Sequence, residues 1–247
     1  MKNAETWRPS KYELKRNRYR ASRDTSELAV SSRLMADLIV QFYSRAVPQF
    51  ASGRILDLGC GKVPLYGLYR PFSEETYCVD WEMSPHESQY VDLFQDLSMP
   101  LSLATESFNT VILSDVLEHI KDPEALMHEV SRVMAPEGTL LMNVPFLYWL
   151  HEEPFDYYRY TRYSLEYLLE KSGLQIIELS PLGGAIEVFC DMGSKIAANI
   201  PVVGSALAQL IQRLDEGLLW TKVGKRIAGL TGARFPLGYS LIARKSA

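Results

Sequence analysis

The segment ILDLGCGKVPLY, residues 55–66, decides the fold. An apolar run carrying one carboxylate, Asp57, breaks into Gly59-Cys60-Gly61 and then into a helical pattern. Two glycines permit a tight turn and let a ligand lie against bare backbone, while the following helix presents unpaired N–H groups. The loop is therefore read as a seat for a flat, polar ligand at the carboxyl end of a strand.

Outward from this loop, short β-like runs alternate with helical patterns, the rhythm of a parallel sheet covered by helices on both faces. Strands are expected at Arg54–Leu58, Thr76–Asp80, Asn109–Ser114 and Thr139–Val144, with a weaker one at Tyr90–Asp92. Asp122 caps and Pro123 opens a helix whose stripe is Leu126, Val130 and Val133, ended by Pro136 and Gly138. A further helix, Thr161 to Ser172, stops at Gly173, and strands Leu174–Leu179 and Leu237–Ala243 complete the sheet. Residues 24–50 read as a helix through Leu34, Leu38, Ile39 and Phe42. The expected organisation is a basic arm and helix (1–50), a Rossmann-like core (51–181), a helical insertion (182–234) and the final strand of the core (235–247).

Two ligand classes use a strand, a glycine turn and a helix in this way. The dinucleotide fingerprint requires a third glycine at position 64, where Pro64 stands. Asp57 before the glycines suits a cationic ligand without pyrophosphate. Asp80 stands where a ribose diol needs an acceptor, a spacing common to both classes.

The ordered motifs ILDLGCG (55–61), VD (79–80), QDL (95–97), SFNTVILSDVLEHI (107–120), RVMAPEGTLLMNVP (132–145) and GYSLIARK (238–245) resemble those of class I S-adenosylmethionine (SAM) dependent methyltransferases. The resemblance implies an α/β fold with a seven-stranded Rossmann-like sheet, and SAM as cofactor with S-adenosylhomocysteine as product. By matched position it implies that Asp57, Gly59, Cys60 and Gly61 line the methionine moiety. Asp80, with Trp81 beside it, accepts the ribose hydroxyls, Asp96 and Leu97 flank the adenine, and Ser114 and Asp115 close the pocket. Lys62-Val63-Pro64 departs from the family's small-residue continuation of the loop.

In such a sheet the acceptor lies beyond the strand ends. PFLYWLHEEPFDYYRYTRY, residues 145–163, holds eight of the chain's aromatic residues in 19 positions, mixed with charges, so its rings cannot all face a dry core. Phe146, Tyr160 and Tyr163 are expected to anchor the loop. Tyr148, Trp149, Glu152, Asp156, Tyr157, Tyr158 and Arg159 are read as acceptor-binding, since rings with carboxylates suit a sugar or a phenol. The run LHEEPFDYYRYT also resembles a loop of bacterial methyltransferases linked to polysaccharide, glycolipid or specialised-metabolite pathways. Because the sulfonium is already activated, alignment supplies most of the rate and a base assists a hydroxyl nucleophile. His119 and His151 are the candidates, and His86 and His128 fit less well. Asp115, Glu118 and His119 share a helical spacing similar to a cluster in metal-using ubiquinone-type O-methyltransferases. Glu118-His119 is nevertheless widespread in class I enzymes without metal, and no metal ligand is assigned.

The reading is thus a methyltransferase acting on a hydroxyl of a sugar, glycolipid or small metabolite. A quinone or phenol O- or C-methyltransferase, with or without metal, a non-catalytic SAM-binding module and an NAD enzyme are its rivals. Three widely spaced cysteines with no C-x-x-C pair and no apolar leader point to the cytoplasm. Ile196 to Gln212 is uncharged over 17 residues but falls short of the about 20 apolar residues a membrane span needs.

The net charge of −4 divides unevenly: residues 1–23 hold eight basic side chains against Glu5 and Glu13, which makes the arm +6 and the remainder −10. The arm is read as a lid or a contact for an anionic acceptor, its alternative being a solvated helix face, and the acidic body argues against nucleic acid. In the insertion Leu207, Leu210, Ile211, Leu214 and Leu218 share one helix face. Arg213, Lys222, Lys225 and Arg226 stand beside Leu218, Leu219 and Trp220. Pocket cover, homodimer contact and peripheral membrane contact all stay open for this segment.

Overall fold

A computed structural model describes residues 1–86 and 89–246. Strands β1 (Tyr12–Lys15) and β2 (Arg18–Ala21) form an antiparallel hairpin turned through Arg16 and Asn17, both at positive φ. This part of the arm is therefore a strand hairpin and not a solvated helix face. A two-residue turn of this hand matches the twist of the strands it joins. Helix α1 covers Arg33–Phe50 rather than 24–50. Its start is delayed because the Asp24 carboxylate takes the Ser26 N–H and hydroxyl in a local turn, offering the backbone an alternative to helix.

The chain continues through β3 (Arg54–Leu58), α2 (Tyr66–Tyr69), β4 (Glu75–Asp80), β5 (Leu93–Phe94), β6 (Phe108–Ser114), α3 (Pro123–Val133) and β7 (Met134–Pro145). Then come α4 (Arg162–Lys171), β8 (Leu174–Leu182), α5 (Ala185–Ala198), α6 (Gly204–Trp220), α7 (Lys222–Thr231) and β9 (Gly238–Lys245). The seven-stranded sheet has the order β5-β4-β3-β6-β7-β9-β8, and only β9 runs antiparallel to its neighbours. The cap read from sequence is present, Asp122 accepting the Ala125 N–H at the start of α3, and the structure adds a second, Thr161 accepting the Ser164 N–H at the start of α4.

The strand expected at Tyr90–Asp92 lies instead at Leu93–Phe94. The Asp92 N–H donates to the Cys78 carbonyl, but the Asp92 carboxylate takes the Cys78 N–H at 2.8 Å, so one side chain stands in for half of the pairing there and regular pairing starts one residue later, at Val79 and Leu93. Helix α3 also stops before Pro136, because β7 already begins at Met134 opposite Phe108.

The central strands are buried on both faces, which explains their near-continuous apolar runs. Leu56, Leu58, Leu113 and Met142 pack with α3 and α4, whereas Ile55, Ile112, Leu141 and Ile242 pack with α1 through Ile39 and Tyr43. The insertion between β8 and β9 forms α5–α7 and turns its leucine stripe outward: Leu207, Leu210, Leu214 and Leu218 are exposed. The side chain of Trp220 lies outside the described set.

Candidate active site

The loop after β3 takes its shape from its glycines. Gly59 has φ +66°, and a Cβ there would stand 2.5 Å from Val116 Cγ2. Gly61 has φ +50°, and its bare face looks toward His86, whose Cβ would be 3.5 Å from an added Cβ. Gly59 and Cys60 donate to the Val79 carbonyl, which ties the loop to the end of β4.

Asp80, at that end, accepts the N–H of Gly61 at 2.6 Å and of Trp81 at 2.7 Å. Burial raises its pKa against the pull of those two amides. Asp80, Trp81, His86, Tyr90 and Phe94 border an open cleft of about 670 Å³, which Arg8, Pro9 and Ser10 of the arm also line. That size and mixed lining suit a small polar ligand. The arm is held over the loop by the Trp7 indole N–H on the Val63 carbonyl (3.0 Å) and by the Tyr19 hydroxyl on the Gly67 carbonyl (2.7 Å).

Asp57 does not border this cleft. It is buried and accepts the Tyr69 hydroxyl at 2.9 Å. Burial pushes its pKa up to about 7, with Tyr69 opposing and Asp80 adding to the rise. Cys60 is buried as well. Asp96 is exposed and caps the Ser98 N–H, and Leu97 is packed in the core, so neither borders the cleft. Their segment still reaches the site edge, because Gln95 donates its N–H to the Asp80 carbonyl at 2.8 Å.

At the end of β6, Ser114 is half-buried and Asp115 adopts a left-handed φ of +54°. The Asp115 carboxylate accepts from Asn143 Nδ2 at 2.6 Å and from Lys11 Nζ at 3.0 Å, and Asn143 Oδ1 accepts the Tyr43 hydroxyl. Asp115 therefore faces the arm and does not join Glu118 and His119 on one helical face. The left-handed residue and the single short turn at Leu117–His119 break the assumed helical spacing.

The aromatic loop brings His151 to His119, with ring centroids 4.9 Å apart. His119 Nδ1 lies 3.0 Å from the Phe155 carbonyl, an acceptor only, so Nδ1 carries a proton and donates it. Glu118 is completely buried, and neither carboxylate oxygen has a hydrogen-bond partner among the described residues. Nε2 of each histidine stands 3.8 Å from Glu118 Oε1. Burial raises the Glu118 pKa. For His151, burial disfavours the cation, but the carboxylates of Glu118, Asp156 and Asp115 outweigh it and the pKa rises. Glu118, His119 and His151 offer donor atoms within 4.8 Å of one another, a geometry that can hold a metal ion.

Asp156 stands 3.2 Å from His151 Nδ1 and accepts the His151 N–H. The Arg159 guanidinium grips Asp156 with two nitrogens, at 2.5 and 2.7 Å, and also reaches the Trp149 carbonyl. Such a planar fork fixes orientation as well as charge. Arg159 and Asp156 thus hold the loop that carries His151 through its backbone N–H, with the Asp156 carboxylate close to the ring.

Tyr157 and Tyr158 donate their N–H groups to the Glu118 carbonyl, and the Tyr160 hydroxyl donates to the Leu117 carbonyl. Of the expected anchors, Tyr160 is buried and Phe146 half-buried. Tyr163 is 72% exposed, because it stands on the outer face of α4. Trp149, Tyr157 and Tyr158 are partly open to solvent, while Tyr148 packs under Lys195 of α5.

The two halves of the site meet where Trp81 sets its edge against Phe155 at 5.0 Å and His86 contacts Glu152 Oε1 at 3.2 Å. That contact, with burial opposing, lowers the Glu152 pKa. Sequence reasoning set His86 aside, read Lys11 only as part of the basic arm, and passed over Tyr43 and Asn143; all four reach the site through tertiary contacts. His128 is exposed on α3, within reach of Glu124 alone among the described carboxylates.

The sequence model of a family described as a methyltransferase domain matches residues 31–179. No curated protein matches the chain. Among solved structures, a SAM-dependent methyltransferase from Archaeoglobus fulgidus is 17% identical with TM-score 0.54, covering 87% of this chain and 97% of its own. A second, from Mesorhizobium loti, is 18% identical with TM-score 0.53 over 86% and 100%. The [4+2]-cyclase SpnF is 16% identical with TM-score 0.54 over 87% and 82%.

Proposed function

Since this chain belongs to the methyltransferase-domain family, we propose that it transfers the methyl group of SAM to a hydroxyl of a sugar, glycolipid or small metabolite, with His151 as the base. The fold alone does not carry this, because SpnF, which shares it, is a cyclase. The observation that carries it is the meeting of His119 and His151 over buried Glu118, beside the cleft that Asp80 and Trp81 border.

The cleft fits the donor on two counts: its volume is adequate, and the Asp80 carboxylate keeps acceptor capacity beyond the two amides it already binds. SAM would supply an already electrophilic methyl group there. Asp80 and Trp81 would hold the nucleoside, and the Trp81–Phe155 contact would set the acceptor loop against it.

His151 would accept the hydroxyl proton on Nε2, with the carboxylates of Asp156, 3.2 Å from Nδ1, and of Glu118 stabilising the imidazolium that forms. Trp149, Tyr157 and Tyr158 supply exposed rings for the acceptor. The test is transfer of labelled methyl from SAM to a panel of glycans, glycolipids and phenols. His151→Gln should lower kcat by about 100-fold or more while SAM affinity stays unchanged, and undiminished turnover would remove His151 from the reaction.

The cluster of Glu118, His119 and His151 favours a second reading, a metal-assisted quinone or phenol methyltransferase. Co-purification of a divalent ion, with turnover abolished by chelation and restored by that ion, would select it over the base mechanism.

A further inference from the structure

The insertion is built inside out. On α5, Asp191 and Lys195 are 0% and 2% exposed and form an ion pair at 2.5 Å, while Phe189 and Ile196 of the same helix are 78% and 69% exposed. On α6 the inward residues are Ala208, Gln212 and Asp215, and the outward ones are Leu207, Leu210, Leu214 and Leu218. The buried polar groups bond across the helices: Gln212 Nε2 reaches Ser194 Oγ at 3.4 Å, and both Ser194 and Lys195 reach the Ser31 carbonyl. A helix packed on a water-soluble body turns its apolar stripe inward. Here burial has selected the polar stripe, so the leucine face is built to meet an apolar phase.

Charge identifies that phase. Every described Asp and Glu of α5–α7 is buried, whereas Arg213, Lys222, Lys225 and Arg226 are exposed. Basic residues beside exposed Val223 and Leu230 of α7 continue the apolar face into a cationic border. No described helix is long and apolar enough to cross a membrane, so these helices would lie in its plane. A protein partner would meet a cationic rim with no exposed described carboxylate to fix register. An anionic bilayer satisfies the leucines and the cations together.

We infer that α5–α7 form a docking face for an anionic lipid bilayer. Lys195, whose ammonium lies 4.2 Å from the Tyr148 ring, joins the inner side of the docking element to the aromatic loop, which holds that loop at a fixed distance from the membrane. The inference depends on the outward leucines and their cationic border, and it stands apart from methyl transfer.

The test is flotation of the full chain with vesicles of phosphatidylcholine containing phosphatidylglycerol, against phosphatidylcholine alone, followed by sedimentation velocity without lipid. The wild type should bind the anionic vesicles and bind the neutral ones weakly. Replacing Lys222, Lys225 and Arg226 by Gln should weaken binding about 100-fold, at about 1 kcal/mol per cation. Leu210→Gln with Leu214→Gln should weaken it at least about tenfold, since each leucine buries apolar surface. Both sets of substitutions lie on exposed positions and should leave the melting temperature unchanged, which separates loss of docking from loss of folding. The inference is overturned by absence of wild-type binding, or by equal binding to both vesicle types. A lipid-free dimer that Leu210→Gln and Leu214→Gln dissociate would overturn it in favour of a second copy of this chain.

Discussion

Gly59→Ala tests the geometry on which the donor loop rests. At φ +66° an L side chain costs roughly 1–2 kcal/mol, and a Cβ 2.5 Å from Val116 Cγ2 adds an overpacking cost of about 1–3 kcal/mol. The expected destabilisation is about 2–5 kcal/mol. For a chain near this length each kcal/mol lowers the melting temperature by about 2–4 °C, so the midpoint of that range corresponds to roughly 7–14 °C. Val116→Ala removes the clashing methyls and leaves the backbone strain in place. In a double-mutant cycle followed by thermal unfolding, Gly59→Ala and Val116→Ala should therefore couple by about 1–3 kcal/mol, with the double variant still below wild type. A Gly59→Ala protein that melts at the wild-type temperature, or a cycle with no coupling, would refute the argument that this turn needs glycine.

Two further expectations concern the acceptor side. His151 cannot take a proton while charged, and its pKa is raised, burial being outweighed by Glu118 and its neighbours. The rate therefore rises with pH, and the acid limb of kcat/KM should lie above about 6.5. A limb at or below that value would contradict the His151 environment. Arg159→Gln leaves the buried Asp156 carboxylate without its fork, which should cost about 3 kcal/mol in stability and lower kcat by loosening His151. Thermal unfolding and kinetics of this variant should both change, and a kcat equal to wild type would separate the Arg159 clamp from the chemistry.

Local signals carried much of the fold. The strand-glycine-helix sequence at 55–66, the cap Asp122, the helix starting near Thr161 and the strands flanking them follow from neighbours a few residues apart, and the structure forms them within a few residues of the expected limits. The failures came where a distant contact or one side chain outweighed the pattern. Asp24 and Asp92 each divert backbone N–H groups, delaying α1 and displacing β5. The helical spacing of Asp115, Glu118 and His119 was misleading because Asp115 is left-handed and bound to Lys11, a partner 104 residues away.

The histidine pair could be nominated from residue type, but its contact through the aromatic loop has no local signature. His86 was set aside for the same reason: its neighbour Glu152 is 66 residues distant. The leucine stripe of α6 was legible as a stripe. Its outward direction was not, because hydrophobic periodicity defines a face without saying which side the body occupies.

The cleft bordered by Asp80 and Trp81 is proposed to receive SAM. Titration calorimetry of the full chain with SAM, S-adenosylhomocysteine and NAD, repeated on Asp80→Ala, tests it most directly. Saturable binding of the two adenosyl ligands, no binding of NAD and a large loss of affinity in Asp80→Ala are predicted. Absence of SAM binding by the wild type, or an unchanged affinity in Asp80→Ala, would contradict it.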